Sequence, residues 1–133
     1  MKKILVLCTG NSCRSQMAEG LINHYFKDKY QAFSAGTKPG IVNPYSIKSM
    51  AELGIDISKN TSKHIDVFKN ETFDIVITVC GNAKESCPAY FGEAIKHHWP
   101  FYDAAEAKGT EEEILKVFRD VRNKILEKFK KEL

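Results

Sequence analysis

The chain reads as an α/β protein with a parallel sheet of four strands covered by helices on both faces. Three observations predict this. Short β-branched runs alternate along the chain with segments of helical character. The run Phe73-Asp74-Ile75-Val76-Ile77-Thr78-Val79 is nearly all apolar, as in a central strand buried on both faces. The last segment places Ile114, Leu115, Phe118, Val121, Ile125, Leu126 and Phe129 at helical spacing. At 133 residues, 43% hydrophobic and 28% charged, one catalytic domain over 1–133 with a sizeable core is expected.

The elements follow in order. A strand is predicted at Lys3–Cys8, a helix at Ser15–Lys29 and a strand at Tyr30–Ser34, followed by a turn through Gly36 to Gly40. Asn43-Pro44 is an N-cap with proline at the first helical position, and that helix runs to Leu53 before Gly54. Ser58–Lys69 is polar, with room for a helical turn or two. The strand Phe73–Val79 precedes an irregular or weakly helical stretch over 80–94. Lys96–Phe101 is a shorter strand. Thr110-Glu111-Glu112-Glu113 then caps the final helix.

Composition excludes several classes. A formal charge of +3 helps a small anion approach but is too weak for a nucleic-acid or membrane surface. No apolar run nears the ~18 residues of a membrane span. After Met1-Lys2-Lys3, the run Ile4–Leu7 stops short of the roughly 7–15 residues of a signal core. A cytoplasmic monomer is expected. There, Cys8, Cys13, Cys80 and Cys87 favour catalysis or metal binding over structural disulfides. Metal is not expected: neither cysteine pair has the C-x2-C spacing, His97 and His98 are adjacent, and His24 and His64 read as surface residues.

The run Cys8-Thr9-Gly10-Asn11-Ser12-Cys13-Arg14-Ser15 carries the chemistry. Cys8 ends the first strand and Arg14 opens the first helix. The polar loop between them can turn its N–H groups inward, making a cradle for a tetrahedral oxyanion with a nucleophile at its floor. The helix N-terminus should lower the Cys8 pKa and raise its thiolate fraction. In such sheets ligands bind outside the carboxyl ends of the strands. Cys80 also falls at a strand's carboxyl end, so Cys8 and Cys80 should share one edge. The bland reading of Cys13 is packing or loop support.

The segment Cys8 to Gly20 (CTGNSCRSQMAEG), the pair Cys80…Cys87-Pro88, and His98-Trp99 with Asp103 resemble the thioredoxin-coupled arsenate reductases. These share the fold of the low-molecular-weight protein tyrosine phosphatases. The resemblance covers nearly the whole chain and implies a three-layer α-β-α architecture. It implies Cys8 as nucleophile and Arg14 as oxyanion clamp, whose planar fork bonds two anion oxygens. The backbone of Thr9, Gly10, Asn11, Ser12, Cys13, Arg14 and Ser15 would bind the oxyanion. Ser15 would donate to the Cys8 thiolate, Asn11 would brace the loop, and Gly10 would permit close approach or a dihedral forbidden to other residues. Asp103 would be the general acid.

The implied reaction is arsenate reduction in arsenic detoxification. Cys8 attacks arsenate, Cys80 attacks Cys8, and Cys87 attacks Cys80. Thioredoxin reduces the resulting Cys80–Cys87 disulfide, and no cofactor is needed. Phosphate and sulfate would mimic arsenate. Two positions depart from the family pattern. Asp103-Ala104-Ala105 replaces the usual Asp-Pro-Ala. Thr61-Ser62 is followed by Lys63, where some members have a carboxylate that helps bind potassium; its ammonium could stand in for the ion. Two alternative functions are a phosphatase of the same fold, with Phe101 and Tyr102 beside the acid, and a cysteine phosphocarrier.

Overall fold

A computed structural model of the chain describes residues 1–80 and 92–133. Cys87 and most of the stretch expected to be irregular lie outside the described residues. Four strands, β1 (Lys2–Cys8), β2 (Tyr30–Gly36), β3 (Ile75–Thr78) and β4 (Ile95–His98), form one sheet in the order β2-β1-β3-β4. All pairings are parallel. Among the described residues three α-helices, α1 (Arg14–Tyr25), α2 (Pro44–Ala51) and α3 (Glu111–Glu132), pack with it. Short 3-10 turns occur at Ile65–Phe68 and Ala104–Glu106.

β1 is central, and Ile4, Leu5, Val6 and Leu7 are fully buried although they alternate between faces. One face carries Ser34, whose hydroxyl donates to Glu19 Oε1 of α1 at 2.9 Å. α1 therefore covers this face. α2 joins α1 through Ser49 Oγ to Met17 Sδ at 3.6 Å. It joins α3 through Tyr45 and Phe118, whose ring centroids are 5.5 Å apart, and through Arg122, which donates to the Ser49 carbonyl at 2.6 Å. The opposite face carries Phe33, in register with Leu5. Phe68 of the first 3-10 turn and Phe73 cover it. Phe33 lies 5.7 Å from Phe68 and 5.8 Å from Phe73, and those two are 5.6 Å apart, all between ring centroids. All three contacts are edge to face, the arrangement aromatic quadrupoles prefer.

The expected elements are all present among the described residues, with altered ends. α1 stops at Tyr25 because Lys29 and Tyr30 N–H groups both return to the Phe26 carbonyl, turning the chain into β2. β2 runs on to Gly36. α2 stops at Ala51. Gly54 beyond it takes a φ of 77°, the left-handed conformation suited to a helix exit. β3 is shorter than Phe73–Val79, although Asp74 and Val79 N–H groups still donate to Lys3 and Leu7 carbonyls. β4 stops before Pro100, which has no N–H; Trp99 and Phe101 continue to donate to Thr78 and Val79. α3 begins with the predicted capping box between Thr110 and Glu113. Its fully buried Phe118, Ile125 and Phe129 each contribute roughly 1.5–3 kcal/mol of apolar burial.

Candidate active site

The loop after β1 is held from outside by its carbonyls. Thr9 O accepts from Lys38 N at 2.8 Å, and Gly10 O accepts from Ser62 Oγ at 2.8 Å and Gly40 N at 3.3 Å. Asn11 O accepts from Gln16 Nε2 at 3.1 Å, and Ser12 O from Asn43 N at 3.1 Å and Ser46 Oγ at 3.3 Å. In a trans peptide the next N–H points opposite to the carbonyl. The amides of Gly10, Asn11, Ser12 and Cys13 are therefore turned away from this frame. At the mouth of α1, amides turned inward from a curved loop form an anion-binding concavity.

Asn11 holds the curve. Its φ of 47° places it in the left-handed region, which asparagine tolerates better than most residues. Its Nδ2 donates to Ser15 Oγ at 2.8 Å, and its Oδ1 accepts from Lys63 N at 2.9 Å. The special dihedral expected at Gly10 thus lies at Asn11, and a Cβ on Gly10 would meet only Ser12 Cβ, at 3.8 Å. The tight approach is instead at Gly36. A Cβ there would lie 2.5 Å from Thr9 O, 2.8 Å from Cys8 O and 2.9 Å from Asn11 N. Only glycine, lacking that atom, lets β2 end beside the loop. Because Ser15 Oγ accepts from Asn11, its own O–H remains available to donate.

Arg14 reaches across the loop. Its Nη1 donates to Phe101 O at 3.1 Å, and its Nη2 lies 3.5 Å from Asp103 Oδ2. Its Nε is buried and has no hydrogen-bond partner among the described residues. Such an orphaned, permanently charged donor is costly unless an acceptor arrives, and a bound oxyanion supplies one. Asp103 caps the second 3-10 turn through Oδ1, which accepts from Ala105 N at 3.1 Å, and its other oxygen faces Arg14. Ala104, where the family has proline, is fully buried. The cap and this burial fix the backbone of Asp103 where the ring is missing.

Cys8, Cys13 and Cys80 are all buried. Cys80 stands at the same sheet edge as Cys8, as expected. Its Sγ is 3.2 Å from Thr9 Oγ1, and it stands near enough to the Cys8 thiol to act on its ionisation. This contact overturns the expected pKa direction. The Cys80 thiol and then burial push Cys8 above the ordinary thiol value, against the downward pull of the Arg14 charge and the Thr9 N–H. Cys13, whose Sγ lies 3.8 Å from Ser12 Oγ, is also pushed up, first by burial. That burial favours its reading as loop support. The Lys63 ammonium donates to Thr61 O at 2.9 Å, and its charge draws the half-buried Glu19 carboxyl downward against a net upward push from burial.

The loop, Arg14, Asp103, Cys8 and Cys80 converge as the sequence anticipates. The outer frame of Gln16, Gly36, Lys38, Gly40, Asn43 and Ser62 does not announce itself in sequence. Among the described residues no cluster of three or more His, Cys, Asp or Glu is placed to hold a metal ion, and no helix is long and apolar enough to cross a membrane.

A loop of inward amides closed by an arginine, with a cysteine at its base, defines a cysteine-dependent oxyanion site on a parallel sheet. The family described as low molecular weight phosphotyrosine protein phosphatase matches residues 3–132, and the chain belongs to it. An arsenate reductase of Shouchella clausii is 48% identical over 98% of this chain and 94% of its own length. A solved arsenate reductase in its phosphate-binding state superposes with a TM-score of 0.82 at 35% identity, over 98% of this chain and 95% of that one. A thioredoxin-dependent arsenate reductase of Corynebacterium glutamicum superposes with a TM-score of 0.70 at 27% identity, over 98% of this chain and 61% of that one.

Proposed function

We propose that this chain reduces arsenate to arsenite by a relay of cysteine thiols. The observation that carries the reading is the second thiol, Cys80, standing beside Cys8 at the foot of the oxyanion loop with its sulfur 3.2 Å from Thr9 Oγ1. Ester hydrolysis has no use for it. In the first step the Cys8 thiolate attacks arsenic, an As–O bond breaks, and Asp103 protonates the departing oxygen so that water leaves. The loop amides and Arg14 hold the remaining oxygens. In the second step the Cys80 thiolate attacks the Cys8 sulfur. The S–S bond forms as the S–As bond breaks, and its electron pair stays on arsenic, which leaves as arsenite. Cys87 then attacks Cys80 and frees Cys8, and a dithiol reductant reduces the Cys80–Cys87 disulfide. Moving Cys80 off Cys8 removes the largest upward influence on the Cys8 pKa and leaves Arg14 and the Thr9 N–H favouring the thiolate.

Thioredoxin fits the reductant's role, supported by the thioredoxin-dependent relative. The buried, free Cys8 and Cys13 suit a reducing cytoplasm. In this reading the chain acts as a single-domain monomer without a cofactor. Phosphate-ester hydrolysis is a side reaction of the same cradle, which family membership and the exposed Tyr102 beside Asp103 favour. Cys80→Ser and Cys87→Ser, tested separately, should each stop multiple-turnover arsenate reduction coupled to thioredoxin and NADPH. Each should leave hydrolysis of p-nitrophenyl phosphate within about twofold, since that reaction uses only the cradle and the acid. Parallel loss of both activities would assign these cysteines to folding and sink the relay.

A further inference from the structure

Gln16 is fully buried in the first turn of α1, and its side-chain amide is directed at the back of the oxyanion loop. Its Nε2 donates to Asn11 O and to Thr61 O, each at 3.1 Å. Its Oε1 accepts from Asn60 Nδ2 at 3.1 Å, and that same nitrogen donates to Glu19 Oε2 at 2.9 Å. The Asn60 nitrogen, set between two oxygens, fixes which end of the Gln16 amide is the donor. Reversing that amide would set its oxygen against two carbonyls. Asn11 is the residue in the left-handed conformation, with a φ of 47°. Residues 61–63 hold it at two points. Lys63 N donates to its Oδ1 at 2.9 Å, and Thr61 O shares the Gln16 nitrogen with its carbonyl. In the trans peptide after Asn11, a carbonyl held outward turns the Ser12 N–H inward, toward the anion.

We propose that Gln16 is a positioning residue for oxyanion binding: by holding the Asn11 carbonyl outward, it keeps the Ser12 N–H aimed into the cradle before any anion arrives. This rests on the reading of the loop as an oxyanion site and is independent of the thiol relay. Without the bond, the peptide between Asn11 and Ser12 is free to rotate, and the left-handed conformation of Asn11 loses one of its holds. The anion then has to order that peptide as it binds, and the ordering weakens affinity. A donor already in place carries no such cost. Once the anion is seated, Cys8, Arg14 and Asp103 stand as before, so the effect falls on binding rather than on the chemical step.

The test measures binding of inorganic phosphate to the reduced protein by calorimetry, with steady-state arsenate kinetics alongside. Gln16→Met keeps the length and the helix preference but donates nothing. Its phosphate Kd should rise about 10-fold, the scale of one buried hydrogen bond lost with its acceptor left unpaired. The arsenate KM should rise in step, while kcat stays within about threefold. Asn60→Ala keeps the Gln16 donor but frees the amide to turn over, and should raise the phosphate Kd about threefold, the scale of a weakened bond. A residue that only packs α1 would lower the melting temperature without moving the Kd of the folded protein, and that result would overturn the role. Should Gln16→Met not fold, Asn60→Ala decides alone, and a wild-type Kd in that variant overturns the role. Wild-type protein that binds no phosphate would overturn the oxyanion reading and this role together.

Discussion

The two ends of the sheet are built on opposite terms. At the amino end, Phe33, Phe68 and Phe73 meet edge to face, and the Lys3 ammonium sits 5.0 Å from the Phe73 ring centre while pairing with Glu71 at 3.0 Å. Every feature there is local satisfaction. At the carboxyl end, a few residues away along β1, the chain keeps Asn11 left-handed, a guanidinium nitrogen buried without a partner among the described residues, and a thiol whose ionisation its neighbouring thiol opposes. The same strand is anchored at one end and held in tension at the other. Strain is sustainable where an ordinary core secures the backbone that leads into it.

The contrast can be broken at either end. The largest effect is expected at the strained one. Cys8→Ser should abolish arsenate reduction and ester hydrolysis alike, at least about 10³-fold in kcat/KM, with little change in melting temperature. Ordinary turnover in that variant would remove Cys8 as the nucleophile. At the satisfied end, Phe73→Ala should cost about 3–5 kcal/mol in denaturant unfolding, the range for deleting a buried aromatic ring. The folded fraction should keep its kcat. A kcat that falls with stability would show the two ends to be coupled.

The smallest effect sharpens the comparison between them. Burial holds Glu19 above the usual carboxylate range despite the Lys63 charge and the Ser34 hydrogen bonds. Between its unfolded and folded pKa values the native state therefore binds more protons than the unfolded chain. This group's contribution to stability is present at low pH and is lost as pH rises through the folded value. Glu19→Gln should raise the melting temperature by a few degrees near neutral pH, with the gain fading as pH falls below the carboxylate range. A gain that grows on acidification would reverse the sign and exclude burial as the cause.

Much of this is readable in the residues. Val76 and Ile77 announce a buried strand, Asn43-Pro44 a helix start, and Thr110 with Glu113 a capping box, because each signal is local and carried by residue type. The cradle is readable for the same reason, being contiguous from Cys8 to Ser15. The frame around it is not, since Lys38, Gly40, Asn43 and Lys63 serve through backbone amides, which every residue but proline possesses. Residue type points to Gly10 for the left-handed position, whereas Asn11 takes it because its side chain bonds both Ser15 and the Lys63 amide. The direction of the Cys8 pKa depends on how near a distant sulfur comes, and spacing cannot report that.

The amide frame has a consequence for which substitutions and lengths the surrounding chain accepts. Pro39 lies between Lys38 and Gly40, Pro44 between Asn43 and Tyr45, and Pro100 between Trp99 and Phe101; all six neighbours donate their N–H groups. Each proline occupies a position where no N–H is called for, and there it narrows the freedom of the unfolded chain without breaking a bond. Residue types at these neighbours are loosely constrained, proline excepted, save at Asn43, whose side chain caps α2 by accepting the Tyr45 N–H. Their count is not. Inserting or deleting one residue between positions 36 and 45 would shift a proline onto a donor's place, so this stretch should tolerate drift in composition far better than any change in length.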